Sequence, residues 1–391
     1  MFKNEVAEFI YKRTYSRWIE QEGRREEWPE TIERFIDFLI SKRGKNIPEK
    51  TIRKIRKYMT EFAVMPSMRF LWSSGPAAEK DNTVIYNCSF AKLNCVEAFA
   101  ECLHILMCGT GFGFSVEAEE VEKLPSIPEI KSGKDIARVI IEDSREGWAD
   151  SVKILMNSLY EGQNLYFDYS QLRPEGARLS TMGGRSSGPQ PLIKLHDFLR
   201  ETMHNAQGRK LTTLECHDIA NQIAEIVVAG GVRRSSQISL SDLDDEDMRH
   251  AKDWPFPIRR AMANNSAIYR DQPTAADFLV EWGVLAKSGS GERGIFNLKS
   301  AQNQAPSRRY APLIQGTNPC GEIMLRDMEF CNLSEVVVRE DDDLDTLLDK
   351  VETATWLGVL QSTFTDFPYL RKEWSKNCGV ERLLGVSLTG Q

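Results

Sequence analysis

The chain is poor in several things that common functions require. It has five histidines, and its eight cysteines (88, 95, 102, 108, 216, 320, 331 and 378) include no C-x-x-C pair, so no Cys/His cluster has the spacing of a structural zinc site. No run of eighteen apolar residues occurs, which leaves no candidate for a helical membrane span. The start, Met1-Phe2-Lys3-Asn4-Glu5, lacks the apolar core of a secretory signal. Positive charge is not in excess: 50 Lys and Arg stand against 57 Asp and Glu, a net charge of −7. That balance argues against a nucleic-acid surface. The basic residues from Lys42-Arg43 to Arg56-Lys57 are spread through a charged helical pattern and suit a solvated helix face. These absences predict a cytoplasmic protein with neither membrane nor nucleic-acid partner, its cysteines thiols unless catalysis oxidises them.

What is present is ordinary globular material. The 391 residues are 41% apolar and 27% charged, enough for one large core or two to three units. Residues 3–63 carry helical periodicity (Val6, Phe9, Ile10; Ile32, Phe35, Ile36, Leu39; Ile52, Ile55, Met59), broken at Trp28-Pro29 and Ile47-Pro48. They predict a helical N-terminal unit. From residue 64 to 391 the texture changes to short apolar runs at Thr83–Tyr86, Phe112–Val116, Ile223–Val228 and Ile238–Leu240. Helices are expected at Val96–Met107, Ser144–Leu159, Leu192–Asn205, Leu214–Ala229, Ala275–Ser288 and Leu344–Phe364. Alternating strands and helices predict an α/β core with parallel strands. Residues 121–170 read as an insertion with its own helix. Cys95 and Cys102, seven apart in a helical run, suit one buried stripe.

One segment concentrates chemistry. Asn318-Pro319-Cys320-Gly321-Glu322 sets an amide, a thiol and a carboxylate within five residues, where Pro319 and Gly321 prevent regular helix or strand. Cys331 follows in Glu329-Phe330-Cys331-Asn332-Leu333. A cysteine beside groups that move protons is a redox, radical or nucleophilic centre; otherwise it is a small packed hydrophobe.

Three glycine-rich segments suit ligands. Cys108-Gly109-Thr110-Gly111-Phe112-Gly113 follows a helix and enters a strand, the reverse of a dinucleotide fingerprint, yet it permits close backbone approach. Ser180–Pro189, with Arg185, offers hydroxyls, amides and a cation to an anion, and a flexible loop is the plain alternative. Gly230-Gly231-Val232-Arg233-Arg234-Ser235-Ser236-Gln237 carries guanidinium groups and an amide of the types that hold phosphate or read a base. Solvent-facing arginines in a turn are the alternative there.

These motifs resemble the catalytic subunits of ribonucleotide reductases, and most closely the adenosylcobalamin-dependent (class II) ribonucleoside-triphosphate reductases. The similarity is carried by Asn318–Glu322, Phe330–Leu333, Tyr86-Asn87-Cys88-Ser89-Phe90 and Gly230–Ser236. It continues through Tyr11–Arg17, Pro66–Trp72, Glu142–Trp148, Phe167–Ser170, Arg173–Gly176 and Gly291–Asn297. The resemblance implies a ten-stranded α/β barrel of two five-stranded parallel halves, with the radical cysteine on a finger loop. It implies Cys320 as the thiyl position, Glu322 as general base for the 3′-hydroxyl and Asn318 as a holder of sugar hydroxyls. Cys88 and Cys331 would be the reductant pair that ends as a disulfide. Substrate contacts would fall at Ser67, Asn87, Cys88, Gly111, Asn318, Pro319, Cys320, Gly321 and Glu322. A deoxynucleotide effector would be sensed by loops containing Arg173, Arg178, Arg185, Gly231, Arg233, Arg234 and Gln237. A thioredoxin- or glutaredoxin-type protein would be the external reductant.

The chain also departs from that family. A C-terminal cysteine pair and the later Ser/Thr-rich phosphate loop are absent, and the chain ends at the strand-like Leu383–Gln391. The expectation is therefore the first half-barrel and finger loop of a split enzyme, completed by a polypeptide carrying the second half. A truncation or an intein-interrupted piece is the competing explanation. With no diiron ligand set or glycyl-radical motif evident, the cofactor expected is adenosylcobalamin. The runners-up are a class I large subunit acting on diphosphates with a metal-radical subunit, and a nonenzymatic nucleotide-binding regulator.

Overall fold

The computed structural model describes residues 2, 4–44, 47–131, 138–178, 185–229 and 235–390. The chain divides into two compact units; Met1–Asn87 and Phe330–Gln391 fall in the first, and Cys88–Leu179 with Gly184–Glu329 form the second. Among the described residues no helix is long and apolar enough to cross a membrane.

The first unit joins both ends of the chain. Its helices Glu5–Thr14, Trp28–Arg43 and Glu49–Thr60 start where the sequence punctuates them. Pro29 occupies the first turn of the second helix, whose start is closed by a reciprocal Glu27–Glu30 capping box, and Pro48 caps the third. The second helix buries Ile32, Phe35, Ile36 and Leu39 on one stripe. Helix Leu344–Ser362 belongs to the same unit: Tyr58 Oη donates to Asp349 Oδ2 at 2.6 Å. The strand-like end forms strand Leu384–Thr389, which runs parallel to Asn332–Val337, with Asn332 opposite Leu384. On its other flank, Glu335 and Val336 of that partner pair antiparallel with Val64–Met65.

The second unit is built on parallel strands, as the alternating pattern predicted. Cys88–Lys92, Gly111–Ser115, Gln237–Asp242, Ala263–Ile268 and Gly294–Phe296 lie side by side in that order, every pair parallel. Helix Val96–Met107 crosses between the first two strands, matching the predicted bounds. Its stripe differs at one end: Cys102 is buried, whereas Cys95 is the N-cap and half-exposed. The central strands are buried along nearly their whole length, as a parallel sheet covered on both faces requires. Register aligns the strand starts: Cys88 faces Gly111, Phe112 faces Gln237, and Gln237 faces Ala263. Loops entering these strands therefore share one edge of the sheet.

Two apolar runs are not strands. Thr83–Tyr86 is mostly a 3₁₀ turn spanning Asn82–Ile85, because the Asp81 carboxylate accepts from the Thr83 amide at 2.8 Å and closes the chain locally. Ile223–Val228 lies inside helix Thr213–Ala229, in line with the helix expected at Leu214–Ala229.

Candidate active site

Cys320 sits at the tip of a hairpin. Strands Ile314–Thr317 and Met324–Arg326 pair antiparallel, Thr317 opposite Met324, and the six residues between them form the loop. The sequence suits the turn: Asn318 at its first position, Pro319 at the second, and Gly321 at the fourth with φ +84°. The Gly321 amide donates to Asn318 O at 2.9 Å. Asn318 Oδ1 accepts from the Ile323 amide at 3.0 Å, and Thr317 Oγ1 donates to Ile323 O at 3.0 Å, so the loop is tied across its base. The result presents Cys320, Gly321 and Glu322 to solvent while Asn318 and Pro319 stay buried. Asn318 Nδ2 is left buried and, among the described residues, without an acceptor.

Glycines seat the hairpin on the sheet. A Cβ at Gly113 would stand 2.2 Å from Thr317 O, and one at Gly316 would stand 2.2 Å from the Phe90 ring. No side chain fits at either place, so the loop base lies directly against strands Cys88–Lys92 and Gly111–Ser115. Thr317, Gly316, Gly113 and Phe90 were missed in the sequence. Gly113 was visible as part of a glycine-rich run, but nothing local announces its partner two hundred residues away.

The same unit contains Cys88 and Gly111, which face each other in register, with Ser89 Oγ donating to Gly111 O at 2.8 Å. The Cys320 thiol is partly desolvated, and this burial, then the Glu322 carboxylate, then Cys88, hold it above its ordinary pKa. It is therefore a protonated thiol at neutral pH, suited to giving or regaining a hydrogen atom rather than to attack as a thiolate.

Other expected site residues belong to the first unit. Cys331 is buried in strand Glu329–Val337. Ser67 caps the short helix Met68–Ser73, accepting from the Phe70 amide at 3.2 Å, and its hydroxyl donates to Gln361 Oε1 at 3.3 Å. Asn87 Oδ1 is buried without a donor among the described residues. All eight cysteines are reduced.

The effector candidates divide. Arg173 is ion-paired with Asp143 at 2.7 Å. Arg178 and Arg185 face each other across an antiparallel bridge, and Arg185 Nη1 donates to Gly176 O at 2.8 Å. Gln237 turns inward, donating to Ala220 O at 3.2 Å, and is 2% exposed. Gly231, Arg233 and Arg234 lie outside the described residues.

Comparison with known proteins gives a consistent likeness. Residues 1–76 match the family described as "Ribonucleotide reductase alpha domain", and residues 116–203 match "B12-dependent ribonucleotide reductase, insertion domain". A crystal structure of a B12-dependent (class II) ribonucleotide reductase superposes with a TM-score of 0.79 at 26% identity, covering 98% of this chain and 62% of that one. The chain thus resembles ribonucleotide reductases in both matched segments and, in its fold, along nearly its whole length. Among curated relatives, the adenosylcobalamin-dependent ribonucleoside-triphosphate reductases of Lactobacillus gasseri and Levilactobacillus brevis are 30% and 28% identical to this chain across 99% of its length. An Actinobacillus ureae class Id alpha subunit, at 12% identity and a TM-score of 0.56, shares the fold. The chain spans 61% of the length of the two curated relatives. The segment expected as an insertion, 121–170, lies within the matched insertion domain.

Proposed function

We propose that this chain is the thiyl-bearing part of a ribonucleoside-triphosphate reductase that uses adenosylcobalamin. One observation carries the reading: a solvent-facing thiol, kept protonated by its surroundings, stands two residues from a carboxylate and two from a buried amide lacking an acceptor.

Each group has a part in replacing the 2′-hydroxyl. Cys320, as a thiyl, takes the 3′-hydrogen. Glu322 receives the 3′-hydroxyl proton, which eases loss of the 2′-hydroxyl as water. Asn318 Nδ2 donates to a sugar hydroxyl, the partner that its burial demands. Cys88 and Cys331 each give one electron and one proton; one proton leaves with the 2′-hydroxyl as water and the other ends at C2′. The pair finishes as a disulfide, Cys320 returns its hydrogen to C3′, and Glu322 returns the proton to the 3′-oxygen. An external dithiol protein then restores the pair. The ten-stranded barrel expected from the resemblance would need the remaining length of the relatives as well.

The cofactor fits the loop. Cys320 is exposed, and a Cβ built at Gly321 meets no heavy atom within 4 Å, so the tip is open to a large planar group. Cys320, Gly321 and Glu322 are the residues that would face it. When bound, adenosylcobalamin supplies the radical chemistry that a thiol cannot begin by itself.

The test is CTP reduction by this chain together with the segment that supplies the remaining length of its relatives, with and without adenosylcobalamin. Deoxynucleotide should form with the cofactor and vanish for Cys320→Ser. Reduction without it would overturn the cofactor assignment, and activity in Cys320→Ser would overturn the mechanism.

A further inference from the structure

Gln361 is a buried amide that reaches both first-unit segments expected to touch the nucleotide. It lies in the last turn of helix Leu344–Ser362 and is 1% exposed. Its Nε2 donates to Ile85 O at 2.7 Å, and its Oε1 accepts from Ser67 Oγ at 3.3 Å. The orientation of the amide is dictated by its partners. A backbone carbonyl only accepts, so the NH2 group faces Ile85 and the oxygen is left for the serine. Ser67 Oγ also lies 3.4 Å from Ile85 O, so the three residues form one cluster. The backbone carbonyl of Gln361 is engaged as well, accepting from Tyr86 Oη at 3.2 Å. All four residues belong to the first unit.

Burying an amide costs free energy unless both its ends are paired. The buried leucines of the same helix, Leu357 and Leu360, need no such partners. An apolar side chain of the same length would satisfy packing at 361; the glutamine adds direction. Ser67 is held from two sides, by Gln361 and by the Phe70 amide, from which it accepts at 3.2 Å. Segment Asn82–Tyr86 is clamped at both ends to the region around the end of the same helix. Asn82 N donates to Asp366 O and Asp366 N to Asn82 Oδ1, both at 2.9 Å. At the other end Ile85 and Tyr86 meet Gln361, and Tyr86 Oη shares its hydrogen with Phe364 O at 2.9 Å. The next residue is Asn87, whose Oδ1 is buried and, among the described residues, without a donor. The clamp thus ends one residue before a side chain whose acceptor still calls for a ligand group.

We infer that Gln361 is a positioning residue for nucleotide binding. It fixes Ser67 and the Ile85–Asn87 segment where they meet the substrate, while its own amide is spent within the protein. The inference rests on the reductase reading above, with Ser67 and Asn87 as substrate contacts, and adds what holds those contacts in place.

The test is steady-state CTP reduction by this chain together with the segment that supplies the remaining length of its relatives, adenosylcobalamin and a dithiol reductant. Gln361→Met keeps the side chain's length and loses both amide bonds. It should raise the KM for CTP about tenfold and change kcat less than about threefold. Leu357→Ala, a cavity in the same helix, should lower the urea midpoint further while leaving KM within about twofold, which separates positioning from stability. Ser67→Ala should raise KM too. Because the two residues act through one contact, the double variant should stay within about twofold of Gln361→Met. An unchanged KM in Gln361→Met, or a KM effect that multiplies with that of Ser67→Ala, would overturn the inference and leave the reductase reading intact. An equal rise in KM for Leu357→Ala would reduce Gln361 to packing and overturn it likewise. Absence of CTP reduction by the unmutated protein would overturn both.

Discussion

Gly316 lies against the ring of Phe90, so closely that a Cβ at 316 would stand 2.2 Å from two ring carbons. This contact seats the Cys320 hairpin on the sheet, and it ties catalytic geometry to packing. Gly316→Ala must push the ring or lift the hairpin. We expect a loss of about 1–3 kcal/mol in stability, read by urea unfolding, and at least a hundredfold fall in nucleotide reduction. Adding Phe90→Leu should recover part of both losses, giving a non-zero coupling in the double-mutant cycle. Gly113→Ala meets the Thr317 carbonyl instead, which cannot rotate away, and Phe90→Leu should not rescue it. Strict additivity of Gly316→Ala and Phe90→Leu would refute the contact.

Asn318 ties the loop with one end of its amide, and the proposed function gives the other end to the substrate. Its Oδ1 holds the Ile323 amide and its Nδ2 awaits an acceptor. Asn318→Asp keeps the acceptor and should preserve slow hydrogen exchange at the Ile323 amide, while abolishing nucleotide reduction. Asn318→Ala strands that amide, which costs about 1–3 kcal/mol, and should speed its exchange as well. Equal exchange in the two variants would show that the side chain does not tie the loop.

Local chemistry was legible in the sequence; distant pairing was not. Pro319 and Gly321 gave away the turn that carries Cys320, and the helix bounds at Val96–Met107 and Ala275–Ser288 followed from periodicity. Residues whose partners lie far along the chain escaped. Gly316 reads as a loop glycine until Phe90 is beside it, and Gln237 reads as a ligand-reading amide until Ala220 O claims it. Glu281 misleads most. An acid in the middle of an apolar helix suggests a solvent-facing residue, yet Arg249 and Arg293 draw it inside, and no local pattern records them. The resemblance supplied roles for residues in both units that spacing could not have joined.

The protonation state of Cys320 can be read without any partner. Burial, Glu322 and Cys88 all oppose its ionisation, so alkylation by iodoacetamide should be slow at pH 8 and rise with an apparent pKa above that of an ordinary cysteine. Removing the negative charge by Glu322→Gln should lower that apparent pKa and speed alkylation at fixed pH. The effect of Cys88→Ser should have the same sign and be smaller. Faster alkylation in the unmutated chain than in Glu322→Gln would mean that the carboxylate does not act on the thiol.

Two buried histidines of the second unit set its acid limit. His217 lies between Asn221, whose Nδ2 is 2.8 Å from its Nε2, and Ser239, whose hydroxyl is 2.9 Å from its Nδ1. Burial lowers its pKa to about 3. His196, between Tyr169 and Ser151, is likewise held well below the ordinary range by burial and then Arg200. For each, the unfolded chain binds a proton near pH 6.5 that the folded one refuses, so stability is full above that pH and declines as pH falls towards the folded value. Each histidine contributes a slope of up to about 1.4 kcal/mol per pH unit in that window. The free energy of urea unfolding, measured from pH 6.5 to 4.5, should therefore fall more steeply for the unmutated chain than for His217→Gln. The difference between the two should be flat above pH 7. A His217→Gln variant with an unchanged slope would show that His217 is protonated in the folded state and that the Asn221–His217–Ser239 chain does not hold it neutral.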